Sequence, residues 1–290
     1  MSFTNEIKNR ISENRGECDY CAAARLAGLV RFAGNVNAGR VTVTTENKNV
    51  ADCASALFHE CLGIDAPAVY SDHSKLYKIE LEGNSAEIAA EELCLGSNAE
   101  PMMAFSCCRR AFLAGAFLGG GSMNDPKKSY HLEFDTKKSE YALDMLSALD
   151  ACGIAAKTTI RKGRTVVYVK EYESIAAVLG LIGADFAALE LYSVSVEKEI
   201  RNDVNRKVNC ENANLDKLAQ AASKQLHAIM KIEKKVGLGA LSDTLKEMAE
   251  LRLAYPEDSL KELGERVNPP IGKSGVNHRL NRIIEFAEKL

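Results

Sequence analysis

Leu26-Ala27-Gly28-Leu29-Val30-Arg31-Phe32-Ala33-Gly34 and Leu113-Ala114-Gly115-Ala116-Phe117-Leu118-Gly119-Gly120-Gly121 both open on Leu-Ala-Gly and both close on Gly. They stand 87 positions apart, and each follows a helical lead-in with Cys and Arg, Cys21 to Arg25 and Cys107 to Ala111. Self-similarity of this kind marks a duplicated structural unit. Ala111, Gly115 and Gly119 recur every fourth residue, as do Ala24 and Gly28 in the first copy. That spacing lays a stripe without bulky side chains along one helix face. Glycine costs about 1 kcal/mol in a helix interior, so such a stripe needs a packing reason. The pattern predicts two helices, one per half, packed backbone to backbone across a pseudo-twofold axis.

The segments after each copy match in type. The first is followed by a strand-like run at 40–44, then a helix over 49–62 with Val50, Cys53, Ala54, Leu57, Phe58 and Cys61 on one face. Strands at 68–70 and 76–81 and a helix at 85–95 close that half. The second is followed by a strand at 130–134 and a helix at 139–152. A hairpin of 156–160 and 165–169 turns around Arg161-Lys162-Gly163-Arg164, and a helix over 172–182 closes the half. Each half therefore reads helix, strands, helix, strands, helix, an α+β pattern.

A chain of 290 residues with 46% hydrophobic content, no Trp and 6 Pro has room for two well-packed domains. Residues 1–15 are polar and charged, unlike a secretory signal, and no apolar run approaches the ~20 residues of a membrane span. A soluble, cytoplasmic protein is expected, with no membrane partner. The nine cysteines, at 18, 21, 53, 61, 94, 107, 108, 152 and 210, are too scattered for a disulfide framework. Cys18 and Cys21 form a CxxC, but no second CxxC or CxxH follows at zinc-finger spacing. The cysteines are read as reduced thiols packing in helices and cores, with a metal or redox role for Cys18 and Cys21 as the minor alternative. No metal, cofactor or catalytic residue is assigned.

Charge is unevenly spread. Residues 201–290 carry 16 Lys+Arg against 13 Asp+Glu, and residues 1–200 carry 21 against 27. A local basic excess is what phosphate neutralisation needs. The segment 188–208 reads as helix through Ile200, then turns polar and rich in Asn and Arg through 214. One reading is an interdomain linker, since Asn favours turns; the other has Arg201, Arg206 and Lys207 on phosphates. A helix over 216–236 follows. Ser242 or Asp243 then caps a helix that stops at Tyr255-Pro256, and Asp258 or Ser259 caps a short one over 260–267. Asn268-Pro269-Pro270-Ile271-Gly272 breaks the chain, and a last helix starts at Lys273 or Ser274, with Val276, Leu280, Ile283, Ile284 and Ala287 as its core stripe. A short helix, a tight break and a longer helix describe a helix-turn-helix. Lys273, Ser274, Asn277, His278, Arg279, Asn281 and Arg282 populate the first half of the last helix, where such helices meet base edges and phosphates.

The paired motif resembles the LAGLIDADG homing-endonuclease family in its single-chain, two-copy form, over about residues 15–185. The resemblance implies that the motif helices form the interface between halves and that saddle-shaped sheets lie on DNA. It also implies that the eighth motif letter is the acid holding the catalytic metal. Here the eighth letters are Ala33 and Gly120 and the sixth are Arg31 and Leu118. Asp125 lies beyond the second copy with no counterpart after the first. Without carboxylates to hold Mg²⁺, no nuclease activity is expected, an active endonuclease being the least favoured alternative. DNA contact and protein contact both stay open for this domain.

Residues 259–264, Ser-Leu-Lys-Glu-Leu-Gly, with Pro269 to Leu280, look like the WhiA family of sporulation and cell-division regulators. That family also carries a degenerate double LAGLIDADG domain. The resemblance implies a LAGLIDADG-like domain over 1–187, an interdomain helix or linker over 188–214, and an all-α helix-turn-helix domain over 215–290 similar to region 4 of sigma factors. It further implies a non-catalytic, sequence-specific transcriptional regulator that binds double-stranded DNA, with a WhiB-type regulator or RNA polymerase as protein partners. A purely adaptor role for the N-terminal domain is the alternative.

Overall fold

The computed structural model describes residues 2–14, 16–37 and 39–290. The chain divides into two compact units, residues 1–198 and 199–290. The first unit holds the repeat. Its first half runs α1 (Phe3–Ser12), α2 (Cys21–Ala33), β1 (Gly34–Asn37), β2 (Arg40–Thr45), α3 (Lys48–Leu62), β3 (Val69–Ser71), β4 (Leu76–Glu82) and α4 (Asn84–Glu92). Its second half runs α5 (Ser106–Gly120), β5 (Gly121–Met123), β6 (Leu132–Thr136), α6 (Ser139–Asp150), β7 (Lys157–Arg161), β8 (Arg164–Val169) and α7 (Tyr172–Leu181). The two antiparallel sheets have the same order, β1-β2-β4-β3 and β5-β6-β8-β7. Period-2 alternation fixes their faces. Val41 and Val43 lie opposite Leu81 and Ile79 on the core side, and Leu132 and Phe134 lie opposite Val169 and Val167.

Short strands β1 and β5 and helix α1 are absent from the sequence reading. Each strand begins at the motif's last glycine, Gly34 or Gly121, where the chain leaves the helix for extended backbone. At four and three residues they are too short to alternate visibly.

Helices α2 and α5 pack as the small-residue stripe predicts. A Cβ on Gly28 would overlap the carbonyl oxygen of Phe112, and one on Gly115 would overlap that of Arg25. A Cβ on Gly119 would fall 2.6 Å from Leu29 O. Main chain meets main chain across the pseudo-twofold, which no residue but glycine permits here.

Arg31, the sixth letter of the first motif, is 1% exposed and does not face a metal site. Its Nη2 donates to Cys94 O at 2.7 Å and Ser97 O at 3.2 Å, and its Nη1 lies 3.3 Å from Asp144 Oδ2. Asp144 Oδ1 accepts from Ala99 N at 3.0 Å, and Tyr141 Oη donates to Leu95 O at 2.9 Å. The cluster bolts the connection between the halves onto α2 and α6. Burial pushes the Asp144 carboxyl up and the Arg31 guanidinium down, each against its partner's charge.

Helix α8 (Asp185–Lys235) leads from the first unit into the second. The turn expected around 201–214 is replaced by uninterrupted helix. No Gly or Pro occurs between Asp185 and Lys235, and Asn costs a helix only a few tenths of a kcal/mol beyond its neighbours. Five exposed asparagines therefore ride on the helix rather than ending it. The second unit continues with α9 (Asp243–Ala254), α10 (Leu260–Arg266) and α11 (Lys273–Glu288). Ile229, Ile232, Met248, Leu263, Val276, Leu280 and Ile283 form its core, each fully buried; such side chains contribute about 1.5–3 kcal/mol apiece.

Candidate nucleic-acid interface

The α10-turn-α11 corner is set by two local devices. Ser259 and Glu262 form a reciprocal capping box, Glu262 N donating to Ser259 Oγ at 3.3 Å and Ser259 N to Glu262 Oε2 at 2.7 Å. Gly264 then lets the turn close. Ile271 N donates to Gly264 O at 3.0 Å, and a Cβ at 264 would overlap Ile271 O. At its far end α11 is anchored by α8: Lys231 Nζ donates to Ala287 O at 2.7 Å and Lys235 Nζ to Leu290 O at 2.5 Å.

With Val276, Leu280 and Ile283 inward, the opposite face of α11 presents two adjacent rows, Lys273-Asn277-Asn281 and Ser274-His278-Arg282, all exposed. Among the described residues, none of these six side chains has an intramolecular hydrogen bond or ion pair. The run 273–282 is about 15 Å long at 1.5 Å per residue, against a major groove ~12 Å wide.

Three other arginines of the unit are differently employed. Arg279 is half-buried and lies 3.6 Å from Glu247 of α9. Arg252 is buried and donates to Asp258 O at 2.7 Å, and Arg266 pairs with Asp258 at 2.6 Å over the ring of Tyr255. Arg201, Arg206 and Lys207 are exposed on α8, with Arg206 paired to Asp203 at 2.6 Å. At 100° per residue, Arg201 and Lys207 point about 120° apart, so the structure does not gather these three into one face.

On the first unit, most cations of the outward sheet faces are already matched by anions, Lys157 on β7 being an exception. Arg40 pairs with Glu80 and Glu82, and Lys78 with Glu80 at 2.7 Å. Arg161 pairs with Glu133 at 2.7 Å, and Arg164 Nε donates to both oxygens of Asp135 at 2.7 Å. Burial raises the Glu133 carboxyl, but hydrogen bonds from Arg161 and His131 outweigh it and hold it low. Neither eighth motif position carries an acid, and at Gly120 there is also no space for one. A Cβ on Gly120 would overlap Asp135 O and lie 3.1 Å from Phe32 O. Asp125 Oδ1 accepts from Lys127 N at 2.9 Å within its own turn.

All nine cysteines are free, as the sequence reading has them, but the structure adds a grouping around Cys18 and Cys21 that the sequence reading does not include. Cys18, Cys21, Cys107 and Cys108 come together, with all Sγ atoms within 4.8 Å of one another. The signal lay in the repeat: a shift of 87 residues sets Cys21 on Cys108. A hydrogen bond from Cys21 leads in bringing the Cys18 thiol down to about 7, while burial pushes Cys108 up. Among the described residues no helix is long and apolar enough to cross a membrane.

Comparison with known proteins gives both units a relative. Residues 109–201 match the WhiA LAGLIDADG-like domain, and residues 204–287 match the WhiA C-terminal HTH domain. A probable cell division protein WhiA of Alkaliphilus metalliredigens is 38% identical over 100% of this chain and 98% of its own. One from Clostridium botulinum is 39% identical over 100% and 99%. The crystal structure of full-length WhiA from Thermatoga maritima aligns over 100% of this chain and 99% of its own, with a TM-score of 0.65 at 27% identity. The isolated N-terminal LAGLIDADG domain of WhiA aligns over 63% of this chain and 92% of its own, with a TM-score of 0.54 at 22% identity.

Proposed function

Since this chain belongs to the WhiA family, we propose that it is a sequence-specific DNA-binding regulator of cell-division or sporulation genes that does not cut DNA. The observation that carries this is the outer face of α11, where six polar side chains keep their hydrogen-bonding capacity unspent. Asn277 and Asn281 suit bidentate contacts to adenine, and Arg282 suits a phosphate. Lys273 and the free N–H groups of the first turn of α11 suit a phosphate; that helix has no side-chain N-cap. Base contacts would then select sequence while Lys273 and Arg282 hold register; Arg201, Arg206 and Lys207 point to different sides of α8 and would add only general positive charge there. The absence of carboxylates at 33 and 120, and of space for one at 120, supports binding without catalysis.

Salt titrations on the preferred duplex, found by selection from a random pool, and on random duplex test this reading. Asn277→Ala should cost about 1–3 kcal/mol on the preferred site and little on random DNA. Lys273→Ala should weaken both alike and lower the salt slope by about one ion. Equal losses on both duplexes for Asn277→Ala would remove α11 from base reading.

The self-paired sheet faces favour a second role for the first unit, as a surface for protein. A WhiB-type regulator or RNA polymerase is the candidate partner there. Capture of either by residues 1–198 supports this role; duplex DNA bound as tightly by that fragment as by the full chain rejects it.

A further inference from the structure

The four clustered cysteines come from equivalent places in the two halves. Cys18 lies in the turn before α2 and Cys21 is its first residue, while Cys107 and Cys108 stand in the first turn of α5. Cys18 Sγ is 3.5 Å from Cys21 Sγ, 3.6 Å from Cys107 Sγ and 3.6 Å from Cys108 Sγ. A tetrahedral zinc with Zn–S bonds of about 2.3 Å sets its sulfurs about 3.8 Å apart. These spacings are far longer than a disulfide bond of about 2.05 Å. They are too tight for a polynuclear iron–sulfur cluster, whose thiolates sit on different irons. Four sulfurs leave no open coordination position, the mark of a structural site.

The surroundings hold the cluster in shape from both halves. The Tyr20 and Phe105 rings stack at 6.2 Å beside it. Arg110 Nη2 donates to both carboxylate oxygens of Glu17 at 2.7 Å. Neither α2 nor α5 has a side-chain N-cap, so N–H groups of both first turns remain for thiolate sulfur. A groove of about 560 Å³ opens beside Cys21 and Cys107 and gives solvent a route to the cluster.

We propose that Cys18, Cys21, Cys107 and Cys108 bind one zinc ion that stitches the N-terminal ends of α2 and α5 together. Zn²⁺ displaces four thiol protons to solvent as four Zn–S bonds form, so binding is pH-dependent and needs no oxidant. The stitch lies at the opposite end of the helix pair from Ala33 and Gly120. It is a clamp between halves, with no part in phosphodiester chemistry.

The test is metal analysis of full-length protein purified under reducing, chelator-free conditions. The expected result is one zinc per chain in the wild type and in Cys210→Ser, whose thiol is exposed on α8. The Cys18→Ser/Cys107→Ser double variant should hold essentially none. Should that variant fail to fold, wild-type protein loaded with Co²⁺ carries the test, through the visible absorption of tetrahedral cobalt thiolate. Three results would overturn the proposal: wild type that takes up neither zinc nor cobalt with all nine thiols free, iron in place of zinc, or zinc retained by a folded double variant.

Discussion

Restoring the missing motif acids asks whether the site lost only its carboxylates or also its room. Position 33 ends α2 with a partly exposed Ala, so Ala33→Asp adds a charge at a helix C-terminus, a cost of about 0.3–1 kcal/mol. Position 120 ends α5, and any Cβ there overlaps the Asp135 carbonyl oxygen and comes within 3.1 Å of Phe32 Cβ. Gly120→Asp therefore adds an overpacking cost of about 1–3 kcal/mol, offset by a few tenths for replacing helical glycine. The expected total is about 1–4 kcal/mol, about 0.7–2.7 kcal/mol more than for Ala33→Asp. Eight of the nine tyrosines lie in residues 1–198 and there is no Trp, so tyrosine fluorescence in a urea titration follows this unit almost alone. The double variant should also fail to cut duplex DNA in Mg²⁺ or Mn²⁺. If Gly120→Asp were as stable as Ala33→Asp, or if the double variant cleaved, the steric argument would be wrong.

Two further outcomes follow from the polar contacts. Arg31→Met should cost about 3–5 kcal/mol at pH 7, because it leaves Asp144 charged and buried. A carboxyl whose folded pKa is raised favours the fold fully below the unfolded value of about 3.9 and loses that as pH rises through the folded one. Urea midpoints at pH 7 and pH 4 should thus show the gap between variant and wild type shrinking with acid; a constant gap would exclude Asp144 as its cause. Arg282→Ala should lower the salt slope of DNA binding by about one ion with stability unchanged. Arg279→Ala should instead lower the thermal midpoint while leaving that slope alone, because Arg279 is turned to Glu247. Reversed phenotypes would place the phosphate contact at 279.

The duplicated unit was legible because its signals are local and repeat: glycine every fourth residue, β-branched alternation, capped helices. The corner of the helix-turn-helix was legible for the same reason, in the Ser259 cap and the Pro-Pro-Ile-Gly break. What escaped depended on distance in sequence or on context. The metal-type cysteine set joins residues 90 apart, and a search for a second CxxC passes over a vicinal pair. Arg279 sits between Asn277 and Asn281 in sequence, yet its side chain runs back to α9, a direction that residue type does not disclose. The 201–214 helix was hidden by counting asparagines as breakers when the absence of Gly and Pro was the stronger sign. Arg31 stands at a motif letter, and its role is set by partners in the 94–97 connection and α6, more than 60 residues away in sequence.

The contact of α2 with α5 has a mechanical consequence. Where Gly28, Gly115 and Gly119 bring main chain against main chain, there are no side-chain rotamers to absorb a displacement, and close-packed interiors transmit strain. The two sheets hang from those helices, one on each. A partner gripping β1-β2-β4-β3 therefore also fixes the pose of β5-β6-β8-β7, and the first unit moves as one stiff body rather than as two jaws. Sequence change on the outer faces can alter the surface this body presents without altering the span between its two sheets.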